Sequence, residues 1–508
     1  MSETKRVYVG LGTNMGRRAL LLDEAVRHLN ERVGNVVGTS FLYESEPELV
    51  TDQPAFLNAV AVIESRLLDP HQLLHALQEI EALMGRPSLE TRARYGPRPI
   101  DLDILCFADG TTTIRTADLI VPHPLLRDRA FVLQPLVDLD PELVVPATPG
   151  GTHTQKLSAS VLWARLSPAQ QSRVRRVMPL GPNRVVHTDT FGDPLLLGIV
   201  NATPDSFSGD GLGLSSVQAV VEHIDQHQKD ADIVDIGGYS TRPGHAQITV
   251  EEEIQRVVPL VQALAGRKPI PPNAATLVSI DTFRPEVARA CLDATAHHRG
   301  DGDVGAHVVW INDVMGLCCD PHQMVSLLRQ HDGVGIVIMH NRGALDAMVR
   351  DPLVAAQLFD HGDHTSVDIV ERVSRDLVAT AAWAESKGIP RWRIVLDPGI
   401  GFGKTPAENA ALAGGTGRLR ALLNGYPLLV AASRKSFMGR VIHDAAVKRG
   451  VERESALPAG DPMREHGTHV VTAIAAWEGA HVVRVHDVAA SRSIIGLTKA
   501  LYNGKIPS

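Results

Sequence analysis

Eight short apolar runs constrain this chain more than any other feature. They lie at 195–201, 233–238, 277–281, 308–314, 334–340, 394–398, 428–433 and 482–486, with helical patterns such as 250–264 and 367–385 between them. Strands apolar on both faces and divided by helices are expected of a parallel sheet covered on each side. Eight in succession favour a closed (β/α)8 barrel. An open doubly wound sheet is the alternative, because periodicity does not report closure. Each run ends in polar residues: the first leads into Asn201-Ala-Thr-Pro-Asp-Ser-Phe-Ser-Gly-Asp210. Barrel enzymes carry their active sites at that C-terminal rim.

The preceding residues follow another plan. Short strands at 6–10, 34–43, 56–64 and 98–107 alternate with helices at 20–29 and 70–84, and a last helix starts at 131–136. The order suits a small α+β sandwich. A turn-rich segment at 146–152 and the stretch 174–183 read as a connection, so the expected layout is a first domain at 5–155, a linker at 156–183 and the barrel at 184–508. A chain of 508 residues is too long for one core, which agrees with two domains. The net charge of −8 argues against nucleic-acid or membrane-surface binding. Four cysteines without metal-ligand spacing fit a reducing compartment. No apolar run reaches membrane-spanning length. A strand begins almost at once, so no targeting segment is expected and the cytoplasm is the expected location, with the mitochondrion as the alternative if the chain is trimmed at its start.

Asp101-Leu-Asp103 lies within a predicted strand. Residues two apart on a strand share a face, so the carboxylates converge while Leu102 and Ile104 pack behind them. Two carboxylates suit Mg²⁺, which keeps waters and takes further oxygens from nucleotide phosphates. A bare Asp-x-Asp is more often a solvated edge, but Arg86, Arg92, Arg94, Arg98, His123 and Arg129 surround this pair in sequence. Arginine suits polyphosphate because its planar fork binds two oxygens and stays charged.

Tyr95-Gly-Pro-Arg-Pro-Ile-Asp-Leu-Asp103, Val121-Pro-His123 and Arg129-Ala-Phe131 resemble the 6-hydroxymethyl-7,8-dihydropterin pyrophosphokinase family, whose fold is a ferredoxin-like α+β sandwich. Gly12-Thr-Asn14, Asp52-Gln-Pro54, Phe56-Leu-Asn58 and Glu81 to Arg86 extend the likeness from about residue 7 to 143. The resemblance implies two Mg²⁺ at Asp101 and Asp103, bridging ATP. It implies a pterin between Phe56 and Phe131, bonded by Asn58 beside Ser45. Arg86, Arg92, Arg94, Arg98, His123 and Arg129 would hold the triphosphate. A flat heterocycle held by stacking and read along its edge is consistent physics. Ser45, Tyr95 and Pro124 stand where the family more often has Thr, Trp and Tyr, and the loop at 87–94 is longer than in compact members.

At the barrel rim, Asn201, Thr241, Arg242, Asp281, Asn312, Asp313, His340, Asp397, Arg434, Lys435, Arg484 and His486 follow the strand ends and are all expected to face one mouth. Singly, each has a bland explanation as a cap, an Asx turn or a core histidine. Together they supply acceptors and donors for a ring and cations for a phosphate. Asn201 to Ser208, Asp235-Ile-Gly-Gly-Tyr-Ser-Thr-Arg-Pro-Gly244, Ile311-Asn-Asp313, Asp397-Pro-Gly-Ile-Gly-Phe-Gly-Lys404, Ser433-Arg-Lys-Ser436 and Arg484-Val-His-Asp487 resemble dihydropteroate synthases. That likeness implies a pterin on Asp281, Asn312, Asp397 and Lys435, and pyrophosphate on Thr241, Arg242, Arg484 and His486. It further implies one Mg²⁺ at Asn201 and p-aminobenzoate among Pro243, Phe402, Lys435 and Ser436. Tyr239 departs from the usual Glu.

The two resemblances imply consecutive steps of folate synthesis, as in fungal multifunctional folate proteins without their aldolase domain. The substrates would be ATP, 6-hydroxymethyl-7,8-dihydropterin and p-aminobenzoate. Sulfonamides would compete at the second site, and a homodimer through the barrel is implied. The competing readings are a pterin-binding methyltransferase-like barrel, or one half kept as a non-catalytic pterin-binding module.

Overall fold

The computed structural model describes residues 4–48, 50–88, 95–149, 155–181, 184–189, 192–202, 217–227, 230–239, 247–265, 277–296, 307–341, 368–450 and 461–503. They form two compact units. One is Met1–Thr190 with Ala384–Arg393, the other Phe191–Trp383 with Ile394–Ser508.

The first unit contains β1 (Lys5–Thr13), α1 (Arg18–Arg32), β2 (Gly34–Thr39), β3 (Leu42–Ser45), β4 (Phe56–Ser65), α2 (Pro70–Leu83) and β5 (Asp101–Phe107). The ribbon β6 (Ile114–Arg115) and β7 (Ile120–Val121) precedes α3 (Ala130–Leu139). A second ribbon joins β8 (Val144–Val145) to β9 (Leu157–Ser158), followed by α4 (Ala159–Arg165), α5 (Pro168–Gln171), β10 (Val174–Leu180) and β11 (Arg184–His187). The antiparallel sheet runs β11-β10-β3-β4-β1-β5, with β2 also on β4. Alternate residues Val7, Val9 and Leu11 of β1 and Leu57, Ala59, Ala61 and Ile63 of β4 are buried with Leu22, Val26 and Leu29 of α1 and Leu73, Leu77 and Ile80 of α2. Asp69 caps α2 by accepting from His71 N at 3.0 Å.

Two expectations change here. The single strand at 34–43 is two, β2 and β3, each paired with β4 and separated at Ser40 and Phe41. Ser40, between them, uses its hydroxyl on backbone instead, accepting from Val60 N at 3.0 Å and donating to Phe41 O at 2.7 Å. Residues 156–183 are not an extended linker. Val177 and Leu180 of β10 are buried, and β10 pairs with β3 from Val174↔Ser45 to Val177↔Leu42.

In the second unit β12 (Leu195–Asn201), β13 (Ile233–Gly237), β14 (Leu277–Asp281), β15 (His307–Asp313), β16 (Gly335–Met339), β17 (Ile394–Asp397), β18 (Leu429–Val430) and β19 (Val482–Val485) are all parallel. Their order is β17-β16-β15-β14-β13-β12-β19-β18, and a bridge Leu396↔Leu428 joins the two ends. The sheet is therefore a barrel nearly closed on itself, and the open-sheet alternative falls. Helices such as Val250–Ala265, Pro321–Gln330, Ile369–Ser386 and Pro462–Trp477 return the chain between strands. No helix among the described residues is long and apolar enough to cross a membrane.

Candidate active sites

In the first unit a cleft opens over the ends of β1, β4 and β5. Strand alternation points Asp101 and Asp103 into it, while Leu102 and Ile104 are buried in the core behind. Arg86 Nη1 lies 2.6 Å from Asp101 Oδ1, and Arg98 Nε lies 3.1 Å from Oδ2. Asp103 is pushed well above the usual carboxylate range by burial and by the charges of Asp101 and Glu81, against Arg129 and Arg86. An electron-rich, undercompensated carboxylate beside a second one is what a divalent cation relieves, so the donor set fits magnesium. Glu81 went unremarked as a site residue in the sequence. It is buried on α2, accepts from Leu102 N at 2.8 Å and shares the Arg86 guanidinium with Asp101.

Phe56 and Phe131 both line the cleft, with Arg98 5.1 Å over the first ring and Arg129 5.4 Å over the second. Asn58 Nδ2 donates to Ser45 Oγ at 2.9 Å and to Tyr43 O at 3.3 Å, which fixes which way its amide faces. His123 lines the same cleft, and burial plus nearby Arg129 hold its pKa down to about 4. Its Nδ1 accepts from Leu125 N at 3.2 Å, so the neutral ring offers Nε2–H rather than a charge. Asn14 ties the rim together, accepting from Arg98 N at 2.9 Å and donating to Gln53 Oε1 and Pro54 O at 3.1 Å. Arg92 and Arg94 lie outside the described residues.

At the mouth of the barrel Arg484 is the centre. Its Nε lies 2.6 Å from Asp235 Oδ2 and its Nη2 2.5 Å from Asp281 Oδ2. Asn312 Nδ2 donates to the same Asp235 oxygen at 3.0 Å. Asp281 is pushed up by burial and by Asp235, with Arg484 opposing. Asp397 is pushed up to about 6 by burial, against the Gly399 N–H at 2.7 Å and the Lys435 and Arg484 charges. Lys435 Nζ stands 3.9 Å over the Phe402 ring. Gly401 makes that possible: its φ is +88°, and a Cβ there would sit 2.7 Å from Lys435 Cδ. Likewise a Cβ on Gly237 would press on Asp281 at 3.2 Å. His486 Nδ1 is 2.9 Å from Ser433 Oγ. Ser436 begins the helix Ser436–Lys448, whose free N–H groups favour an anion. Asn201 ends β12 in an exposed position.

Three residues expected at this mouth face elsewhere. Asp313 follows inward-facing Asn312 and so points away; it accepts from Met315 N at 2.8 Å and Leu317 N at 2.9 Å, shaping its own turn. His340 Nε2 pairs with Asp376 Oδ2 at 3.0 Å on the helix Ile369–Ser386. Arg434 pairs with Glu465 of Pro462–Trp477. Thr241, Arg242 and Pro243 lie outside the described residues. Tyr239, in place of the expected Glu, meets Phe283 edge-on at 5.6 Å and joins an apolar shelf of Phe283, Val314, Met315 and Met339 with Phe402. Asp235 lies within one of the matched strings but carries no role that its sequence position implies. Its signal was a lone acid inside the apolar run Ile233–Gly237.

Known proteins match this arrangement over both units. Residues 197–486 match the pterin binding enzyme family and residues 8–141 the 7,8-dihydro-6-hydroxymethylpterin-pyrophosphokinase family. The bifunctional folate synthesis protein of Pisum sativum, described as mitochondrial, is 34% identical over 99% of this chain and 91% of its own length. The folic acid synthesis protein fol1 of Pneumocystis carinii is 35% identical over 98% of this chain, which spans only 60% of that relative. A crystal structure of the Plasmodium falciparum bifunctional protein with pterin and p-hydroxybenzoate superposes with a TM-score of 0.71 at 19% identity, covering 100% of this chain and 99% of that one. The chain therefore belongs to the bifunctional folate synthesis proteins, with a pyrophosphokinase domain and a dihydropteroate synthase domain in one polypeptide.

Proposed function

We propose that the two sites act in sequence. In the first, the hydroxymethyl oxygen of 6-hydroxymethyl-7,8-dihydropterin attacks the β-phosphorus of ATP, the bond to the α-phosphate oxygen breaks, and AMP leaves. In the second, the amine of p-aminobenzoate attacks the pterin methylene carbon, pyrophosphate leaves with the C–O electrons, and the nitrogen loses a proton to give 7,8-dihydropteroate. The observation that carries this reading is the convergence of Arg484 on Asp235 and Asp281 beside Asn312 at a barrel mouth, in the same chain as the Asp101/Asp103 cleft.

In the cleft, Phe56 and Phe131 stack the pterin and Asn58 reads its edge, which orients the hydroxymethyl group. Arg86, Arg98 and Arg129, with Arg92 or Arg94, take phosphate oxygens, and His123 donates a neutral hydrogen bond. Asp101 and Asp103 would hold two magnesium ions, which supply charge neutralisation on the triphosphate when bound. In the barrel, Asp281, Asn312, Asp397 and Lys435 bind the pterin ring. Thr241, Arg242, Arg484 and His486 meet the pyrophosphate, stabilising the negative charge that grows as the C–O bond breaks. Asn201 would hold one further magnesium ion there. Phe402, Pro243, Lys435 and the helix start at Ser436 form the place for p-aminobenzoate, and sulfonamides would compete for it. The purified protein given hydroxymethyl-dihydropterin, ATP, Mg²⁺ and p-aminobenzoate should form dihydropteroate and AMP in equal amounts. Product formation that requires cobalamin instead would refute the reading.

The barrel is also proposed as the dimerisation unit. Val470 and Trp477 on Pro462–Trp477, and Leu497, Leu501 and Tyr502 on Val488–Asn503, are exposed, and Trp477 and Tyr502 stack edge-on at 4.9 Å. Sedimentation should give a dimer that Leu497→Lys with Leu501→Lys converts to monomer; a monomeric parent protein contradicts it. Four cysteines without metal-ligand spacing suit a reducing compartment, and the cytoplasm is the location proposed.

A further inference from the structure

We propose that Asp235 is a positioning residue for the synthase reaction: from beneath the pterin site it aims the Arg484 guanidinium at the pyrophosphate and fixes the Asn312 amide toward the ring. This rests on reading the barrel mouth as the site of the dihydropterin pyrophosphate ester.

Asp235 is fully buried, with Ile233, Val234 and Ile236 around it on β13. An isolated carboxylate in such a place is costly, so its partners explain its presence. Those partners are Arg484 Nε at 2.6 Å and Asn312 Nδ2 at 3.0 Å, both on the same oxygen and each from a different strand. The second oxygen has no hydrogen-bond partner among the described residues. In register, Gly237 lies opposite Asp281, so Asp235 is one inward-facing layer deeper than the acid that meets the ligand. It does not need to touch substrate to matter.

Its value follows from the fork of Arg484. One arm, Nη2, goes to Asp281; the other, Nε, goes to Asp235. When the pterin ring takes Asp281, that arm loses its partner. Asp235 then remains as the anchor that stops the guanidinium from swinging, and it leaves Nη2 free to turn to the phosphate oxygens. Without the Asp235 charge, Arg484 and the ring compete for one carboxylate. Both the ring contact and the pyrophosphate contact should then suffer, the second more.

The experiment is Asp235→Asn in the full chain, which keeps shape and removes charge. Barrel binding is measured with 6-hydroxymethyl-7,8-dihydropterin and with its pyrophosphate ester, in a chain whose kinase cleft is silenced by Asn58→Ala with Phe131→Ala. Synthase kinetics are read in parallel. The ester's binding advantage over the alcohol should shrink by about tenfold or more, the size of one charged hydrogen bond. The synthase kcat/KM should fall at least as far, while the barrel's unfolding temperature stays within a few degrees. Adding Asp235→Asn to Arg484→Ala should cost little further, since the first acts through the second. If the ester keeps its advantage, or both ligands weaken equally as the barrel loses stability, Asp235 is structural and the inference is wrong. If Asp235→Asn does not fold, Arg484→Lys serves: one ammonium cannot span both acids, so the same loss of ester preference is required. Should Arg484→Ala leave condensation intact, it is the reading of the site that fails.

Discussion

Asp103→Ala should reduce AMP formation from ATP and hydroxymethyl-dihydropterin by about a thousandfold, the scale lost when a preorganised electrostatic contact to a reacting group is removed. Synthase turnover with preformed ester should be unchanged. The substitution has an unusual second expectation. Burial and the Asp101 and Glu81 charges push the Asp103 carboxyl up, so its ionised form is unfavourable in the fold. For an acid raised in the folded state, the associated stability is fully present below the unfolded pKa and is lost as pH rises through the folded value. At neutral pH the native side chain is therefore a burden, and removing it should leave the melting temperature unchanged or raised by about 2–4 °C per kcal/mol regained. Calorimetry alongside the AMP assay checks both. Normal AMP formation, or collapse of the first unit, would end the assignment of Asp103 to the metal.

Arg484→Ala should reduce condensation with p-aminobenzoate by about three orders of magnitude, roughly 4 kcal/mol of transition-state stabilisation. Two acids lose their cation, and the sign of the consequence can be worked out. Arg484 opposes the upward push on Asp281, so its removal raises that carboxyl further. In the proposed binding mode, a protonated Asp281 is a poorer acceptor for the pterin edge. The residual activity of the variant should thus climb as pH rises from 7 to about 9, restoring the carboxylate. Steady-state rates across that range, with the pyrophosphokinase activity of the same chain as internal control, provide the measurement. A residual rate flat in pH would show that Asp281 does not answer to Arg484.

Much of this was legible before any coordinates. Period-two patterning around Asp101 and Asp103 predicted a shared face, and the cleft contains both. The eight apolar runs all became parallel strands. Three residues expected at the barrel mouth face elsewhere, and two of them, Asp313 and Arg434, adjoin residues that do turn to it, while His340 is held by Asp376. Asn312 turns inward and Asp313 outward, and Lys435 meets Phe402 while Arg434 meets Glu465. On β15 a one-residue step reverses the side chain, whereas β18 ends at Val430 and Arg434 sits in a turn with φ +56° before the helix at Ser436, where no strand period applies. The expected linker failed for a related reason: β10 is stabilised by β3, a partner some 130 positions earlier, which no local window sees.

The sequence by itself determined the families, the two-part order and the residue types that each reaction needs, because those depend on strand period and side-chain chemistry. Only the tertiary structure decided which acid holds which arginine. Asp235, Asp281 and Arg484 lie on three different strands, and their pairing exists because barrel closure brings β19 beside β12 and within a guanidinium's reach of β13 and β14. Charge pairing inside a closed ring is set by geometry across the chain, not along it.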